Sequence, residues 1–155
     1  MFQLYFKIKI MNKEDYVNLK VAKLLEEKGF NEPCDSRHIV YEDGKYKFER
    51  YKTFDIQKDI GIVKTKDGCF YDSYPAPTLY EAQKWLRKQG DFVVITPRYS
   101  NKYQIIEYEY RIIQYTDLVV DKNRKGKLSP VVYESYEECL NEGILEALKL
   151  IYYEI

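Results

Sequence analysis

Cys34 and His38, with Cys69 and Cys139, are the side chains of this 155-residue chain that could do the most chemistry together. As a set they offer four zinc ligands. Structural zinc sites nearly always include a Cys-x-x-Cys pair, in which one turn of chain delivers two thiolates, and none occurs here. A Cys/His nucleophile dyad needs the imidazole to take the thiol proton. A lone cysteine beside a loop is usually inert, so neither reading is adopted. His38 is the single histidine, which excludes a two-histidine acid/base pair. No Gly-rich phosphate loop, G-x-S-x-G elbow or H-E-x-x-H helix is present. Three cysteines in three separate segments do not make a disulfide framework; they fit a reducing compartment and a cytoplasmic location.

Glu107 and Glu109 project to one side of a strand-patterned run and form an acidic pair, but Arg111 shares that side, and a surface ion network is the preferred reading. Arg98, Lys102 and the segment Asp121-Lys122-Asn123-Arg124-Lys125-Gly126-Lys127 are the cations available to a phosphate; a solvated hairpin loop accounts for the segment more simply. The 25 basic and 25 acidic residues cancel, so a bulk polycation for nucleic acid or membrane is not indicated. No apolar segment is long enough to span a bilayer. No catalytic, cofactor-binding or metal-ligating residue is assigned, and the chain reads as non-enzymatic.

The elements that must position these residues are better marked. Thr78-Leu79-Tyr80-Glu81 and Ser135-Tyr136-Glu137-Glu138 are helix-start signatures, in which a hydroxyl and a carboxylate satisfy backbone donors that a helix start leaves unpaired. Leu79, Ala82, Trp85 and Leu86 then form one apolar face, closed by Gly90. Tyr136, Leu140, Ile144, Ala147, Leu148 and Ile151 form another, wide enough to cover a sheet. Burial of a leucine outweighs a cap, so packing is expected to hold the last helix. An earlier helix runs through Val21, Ala22, Leu24 and Leu25 to Gly29, with Asn18 preferred over Asn12 as N-cap. His38-Ile39-Val40-Tyr41 and residues 46–51 flank Asp43-Gly44 as a β-hairpin.

Residues 52–77 carry few periodic signals. Ile60-Gly61-Ile62-Val63 is a candidate short strand, and Tyr74-Pro75-Ala76-Pro77 reads as a proline-stiffened approach to the second helix. Residues 91–97 and 103–115 read as strands. Ile106, Tyr108, Tyr110 and Ile112 share one face of the second, with a bend or break expected near Thr116. Leu118-Val119-Val120 and Pro130-Val131-Val132-Tyr133 would complete a hairpin. Residues 1–10 read as a short edge strand or as an extension upstream of a start at Met11.

The fold class that follows is α+β. A mainly antiparallel sheet is covered by the two amphipathic helices, with the N-terminal helix and hairpin packed as a subdomain, all within one domain over 1–155. Within it, residues 1–11 are the extension, 12–75 the helix-hairpin subdomain and 76–155 the helix-sheet-helix core. The order helix, three strands, helix is that of a double-stranded RNA-binding domain. From Glu134 to Ile155, however, six acids face one base, Lys149, which argues against phosphate binding.

Tyrosine is over-represented, at 17 residues, which suits either core and rim filling in a sheet or an adhesive aromatic face. Four blocks, in order, resemble a family of small proteins without an assigned activity that is encoded by phages and prophages of gut anaerobic bacteria. They are Val21-Ala22-Lys23-Leu24-Leu25-Glu26-Glu27-Lys28-Gly29-Phe30, Ala76-Pro77-Thr78-Leu79-Tyr80-Glu81-Ala82-Gln83-Lys84-Trp85-Leu86-Arg87, Ser135-Tyr136-Glu137-Glu138, and Glu142-Gly143-Ile144-Leu145-Glu146-Ala147-Leu148-Lys149-Leu150-Ile151. The resemblance covers nearly all of the chain after Met11 and brings no catalytic residue or cofactor. It implies an accessory protein acting inside a bacterial cell, with a bacterial host or phage protein as partner. A nucleic-acid-binding module of αβββα topology is the alternative.

Overall fold

The computed structural model describes residues 11–50, 71–115 and 126–151, together with the backbone of 61–64 and 70. The expected extension at 1–10, the bend near Thr116, the strand at Leu118-Val119-Val120, most of the basic segment, and Cys69 lie outside the described residues.

Both asparagines proposed as N-caps start something. The Asp15 carboxylate accepts from the backbone N–H of Asn12 (2.8 Å), closing a single 3-10 turn at Lys13–Asp15. The chain then extends through Tyr16, and the side chain of Asn18 accepts from the Val21 N–H to start α1 (Leu19–Glu27). Tyr16 and Val17 cannot continue the first turn because they are already committed. Val17 N–H donates to the Pro77 carbonyl (3.0 Å), and Tyr16 bridges to Thr78. Gly29 follows α1 at φ +82°, the left-handed position that a glycine adopts without strain.

Strands β1 (Ser36–Tyr41) and β2 (Tyr46–Arg50) form the expected hairpin. Its loop is not the two-residue turn that Asp-Gly suggests. The Gly44 N–H donates to the Tyr41 carbonyl, the Tyr41 N–H donates to the Lys45 carbonyl, and of the pair only Gly44 has positive φ. That is a three-residue loop with a glycine bulge. The candidate strand near Ile62 is present as β3 (Gly61–Lys64). The approach to the second helix is itself a strand, β4 (Phe70–Pro75), lying between β1 and β3. The hairpin expected of the N-terminal part is therefore enlarged into a sheet of its own, beside the expected antiparallel sheet of the C-terminal part. The first has four antiparallel strands in the order β2-β1-β4-β3. Ser73 is buried in the middle of β4, and a small polar residue at an interior position erases the alternation by which strands are recognised.

After β4 comes α2 (Leu79–Gln89). At its start the Thr78 hydroxyl accepts from the Glu81 N–H (3.1 Å) and the Glu81 carboxylate accepts from the Thr78 N–H (2.8 Å). The second sheet, in the order β5-β6-β7, comprises β5 (Asp91–Ser100), β6 (Ile105–Gln114) and the two-residue β7 (Lys127–Leu128). The expected partner strand at Val131-Val132-Tyr133 is not a strand. Arg111 pairs with Leu128, but Tyr108 bridges to Tyr133, a register slip of two residues across Pro130, which has no N–H to donate. Pro97 is tolerated within β5 because β5 is an edge strand.

The last helix, α3 (Tyr136–Lys149), lies on β5 and β6. A Cβ added to Gly143 would come within 2.7 Å of Val93 Cγ1 and 3.1 Å of Tyr110 Cβ. The glycine lets helix and sheet approach closely, which offsets the roughly 1 kcal/mol that glycine costs inside a helix. At its start the Ser135 hydroxyl accepts from the Glu138 N–H (3.2 Å) but donates to the Glu137 carboxylate (3.1 Å). The full reciprocal arrangement is seen at Thr78.

α1 is joined to α3 by two hydrogen bonds. Asn18 N–H donates to Asn141 Oδ1 and Lys28 Nζ donates to the Ile151 carbonyl, each at 2.9 Å. Both pairs are separated by 123 residues, so α1 and α3 run in the same direction with constant offset. One apolar cluster takes in Val21, Leu25 and Phe30 from the N-terminal part and Trp85, Leu86, Ile112, Ile144 and Leu148 from the C-terminal part. Trp85 is the core anchor its place on the α2 face suggested; its ring meets that of Phe30 edge-on at 5.8 Å. No described helix is long and apolar enough to cross a membrane.

Candidate functional site

β5 and β6 are each ten residues long, about 33 Å at a strand's rise. α3 has fourteen residues, about 21 Å at a helix's rise. Among the described residues, a helix of that length, seated at one end, leaves the other end of the ribbon bare. On the face turned toward α3 the register pairs Val93 with Ile112, Ile95 with Tyr110, Pro97 with Tyr108 and Tyr99 with Ile106. Exposure rises in that order: Val93 is 4% exposed and Ile112 1%, whereas Tyr99 is 62% and Ile106 57%. The same alternation that builds the core thus runs out of the core and onto the surface, carrying apolar side chains with it.

The bare end is continuous with a groove. Tyr136, at the start of α3, meets Tyr108 edge-on with ring centroids 5.8 Å apart. Tyr136 also forms one wall of a groove of about 380 Å³ between the starts of α2 and α3. Leu79 and Leu140 form its apolar part, Met11 and Tyr80 the remaining walls, and Asp15 and Glu137 bring negative charge. Gln83 fixes the adjoining edge of the sheet by donating from Nε2 to the Val93 carbonyl (2.7 Å). Aromatic side chains with one wet end and one apolar body are the types enriched where proteins meet. An exposed apolar surface that is contiguous rather than scattered marks a contact site.

The described reactive residues, Cys34, His38 and Cys139, do not form a reactive set. Cys34 is buried, its thiol lies 3.5 Å from the Ser36 carbonyl, and burial pushes its pKa up to about 11. Cys139 is buried in α3, its pKa also raised to about 11, by burial first and then by Glu109 and Glu138. His38 Nε2 lies 2.8 Å from the Val17 carbonyl, so this nitrogen carries the proton; Nδ1 is buried without a hydrogen-bond partner. A thiol held protonated and an imidazole tied to a carbonyl make no nucleophile pair. Among the described residues no group of three or more His, Cys, Asp or Glu is placed to hold a metal ion.

Glu109 receives Arg98 (3.0 Å) rather than forming an acidic pair with Glu107. Lys102 sits 4.8 Å over the Tyr103 ring, and Lys127 pairs with Glu146 (3.0 Å). A second cleft, of about 760 Å³ and lined by Arg87, Lys88, Gln114 and Tyr115, contains the buried Asp91. Its carboxyl accepts from Gln114 Nε2 (3.1 Å), and burial raises its pKa. Among the described residues lining this cleft Asp91 is the single carboxyl, so no carboxylate pair for acid/base work is formed there.

The sequence placed Ile106 on one face with Tyr108, Tyr110 and Ile112, as the register does, without separating the exposed end of that face from the buried one. Strand length set against helix length is the signal that separates the two. Tyr99 was not singled out, although it follows from Val93 by the same two-residue step. No protein-family model, curated protein or solved structure matches the chain.

Proposed function

We propose that this protein is a non-enzymatic, phage-associated accessory protein that works in the bacterial cytoplasm by binding a host or phage protein through the bare end of the β5–β6 ribbon. The observation that carries this reading is the contiguous apolar face of Tyr99, Ile106 and Tyr108, continued by Tyr136 into the groove. The four blocks that resemble phage and prophage proteins supply the cellular setting. Affinity capture from infected cells should retain a partner with the parent chain and lose it with Tyr99→Asp/Ile106→Asp at an unchanged urea midpoint. Capture of the same proteins by both chains would overturn the reading.

The alternative is a nucleic-acid-binding module, and one observation favours it: among the described strands and longer helices, α2, β5, β6, β7 and α3 follow the αβββα order. Its electrostatics are poor. Arg98 and Lys127 are engaged by carboxylates, and α3 opens on Glu137 and Glu138. A phosphate binder should hold heparin or duplex with an affinity that falls steeply with salt. Absence of binding at low salt is the expected result.

A further inference from the structure

We propose that the cleft at the start of β5 binds a primary ammonium group carried on a small apolar or aromatic body. The site lies about 26 Å along the strand from Tyr99 and is separate from the bare apolar face. Asp91 is its charge partner. Among the described residues it is the one buried carboxylate, 4% exposed, and Gln114 Nε2 donates to its Oδ1. No described residue donates to Oδ2. Among the described buried side-chain nitrogens and oxygens, His38 Nδ1 alone is both sealed and unpartnered, so Oδ2 opens onto the cleft that Asp91 lines. A carboxylate in such a place has lost most of its water and gained one neutral hydrogen bond. A cation is its favoured companion.

The cations of the cleft wall do not supply it. The Arg87 guanidinium lies 5.7 Å over the Tyr80 ring, back along α2, and Lys88 pairs with Glu32. Neither is close enough to lower the pKa of Asp91, which burial raises and Gln114 alone opposes. The backbone adds negative potential. Both α2 and α3 end here, at Gln89 and Gly90 and at Leu150 and Ile151, and a helix C-terminus carries partial negative charge on its last carbonyls. One of these ends already draws a cation: Lys28 Nζ donates to the Ile151 carbonyl (2.9 Å). With Oδ1 engaged by Gln114, Asp91 is poorly matched to a two-pronged guanidinium. An ammonium needs one oxygen from it and turns its remaining donors to carbonyls. Phe92, Tyr115 and Leu150 offer apolar walls to the body of the ligand, and the volume of about 760 Å³ is that of a small-molecule site.

The test titrates the full chain with phenethylamine and, separately, with phenethyl alcohol, which has the same ring and no charge, while backbone amide resonances are followed. The amine should saturate with roughly millimolar affinity. It should shift Phe92, Gln114, Tyr115 and Ile151 and leave Ile105 and Ile106 in place. The alcohol should bind about tenfold more weakly, the loss expected when one charged contact is removed. Asp91→Asn keeps the shape and an oxygen for Gln114, so it should weaken amine binding about tenfold at a urea midpoint no lower than the parent's. The proposal is overturned if the amine does not bind, if amine and alcohol bind equally, if the shifts fall outside the cleft, or if Asp91→Asn binds the amine as the parent does. The comparison of the two ligands is made on the parent chain, so it decides the matter whatever Asp91→Asn does to folding.

Discussion

The two sheets are attached to the rest of the molecule by different forces. The β5–β6 ribbon turns Val93, Tyr110 and Ile112 toward α3 and is held by apolar packing close enough to require Gly143. The β2-β1-β4-β3 sheet turns polar groups inward. Ser36 donates to the Ala76 carbonyl (3.1 Å) and His38 to the Val17 carbonyl, on a face where Phe48 and Tyr74 add apolar contacts with the core. Apolar attachment is tolerant in position and can slide off its cover, as the bare end of the ribbon shows. Hydrogen-bonded attachment fixes one geometry and becomes costly when a partner is lost. This contrast explains why the surface available for binding belongs to the second sheet.

The largest effect expected from breaking the contrast is at Leu148, fully buried where α3 meets the core. Leu148→Ala should cost about 2–5 kcal/mol, since transfer and cavity terms add. It would appear as a lower urea midpoint with unchanged slope. A loss below ~1 kcal/mol would mean that the ribbon end of the molecule is not held by packing, and the comparison would collapse.

The first sheet should instead respond to pH through His38. Burial holds its pKa below the ordinary value near 6.5, and Lys13 adds to the shift; the Val17 carbonyl works against it. The ring faces Phe48 on β2, and its register partner on β4 is Tyr74, so no carboxylate of those strands compensates a proton there. The unfolded chain therefore takes up the proton first. Stability attributable to His38 is complete above about pH 6.5 and falls as pH drops below it, by at most about 1.4 kcal/mol per unit. Asp91 and Glu26 are raised by burial and titrate in the opposite sense, gaining stability as pH falls. The measurement is accordingly a difference: urea midpoints from pH 7 to pH 5 for the parent and for His38→Gln, an amide that retains a donor. The parent should lose stability relative to the variant. Parallel curves would show that the first sheet does not depend on a neutral imidazole.

The same contrast explains what could be read from the sequence. Leu79, Ala82, Trp85 and Leu86 announced the buried face of α2, and Leu140, Ile144, Ala147 and Leu148 that of α3, because apolar burial writes its period into the chain. β4 could not be read, since Ser73, Asp72 and Pro75 carry no such period, and its partners are 30 or more residues away on β1. Asn141 was invisible for the same reason. A polar residue within an apolar stripe looks like an interruption until Asn18 is seen donating to it across 123 residues. Of the candidate site, the apolar alternation at Tyr108 and Ile106 was legible and the termination of its cover was not.

Helix starts supply the smallest effect and set a lower bound on the contrast. Ser135 satisfies one backbone donor at an exposed helix end, where water replaces the acceptor when the hydroxyl is removed. Ser135→Ala should therefore cost about 1 kcal/mol, within the usual range for an N-cap. The deficit should be well below that of Leu148→Ala, although both substitutions act on α3. If the two urea midpoints shifted equally, the cap would be nucleating the helix rather than finishing it, and α3 would have to be regarded as locally determined. If Ser135→Ala is the milder change, α3 is held from its buried side. The sheet then decides where the helix sits, and the length of the ribbon it leaves uncovered is a property of the packing.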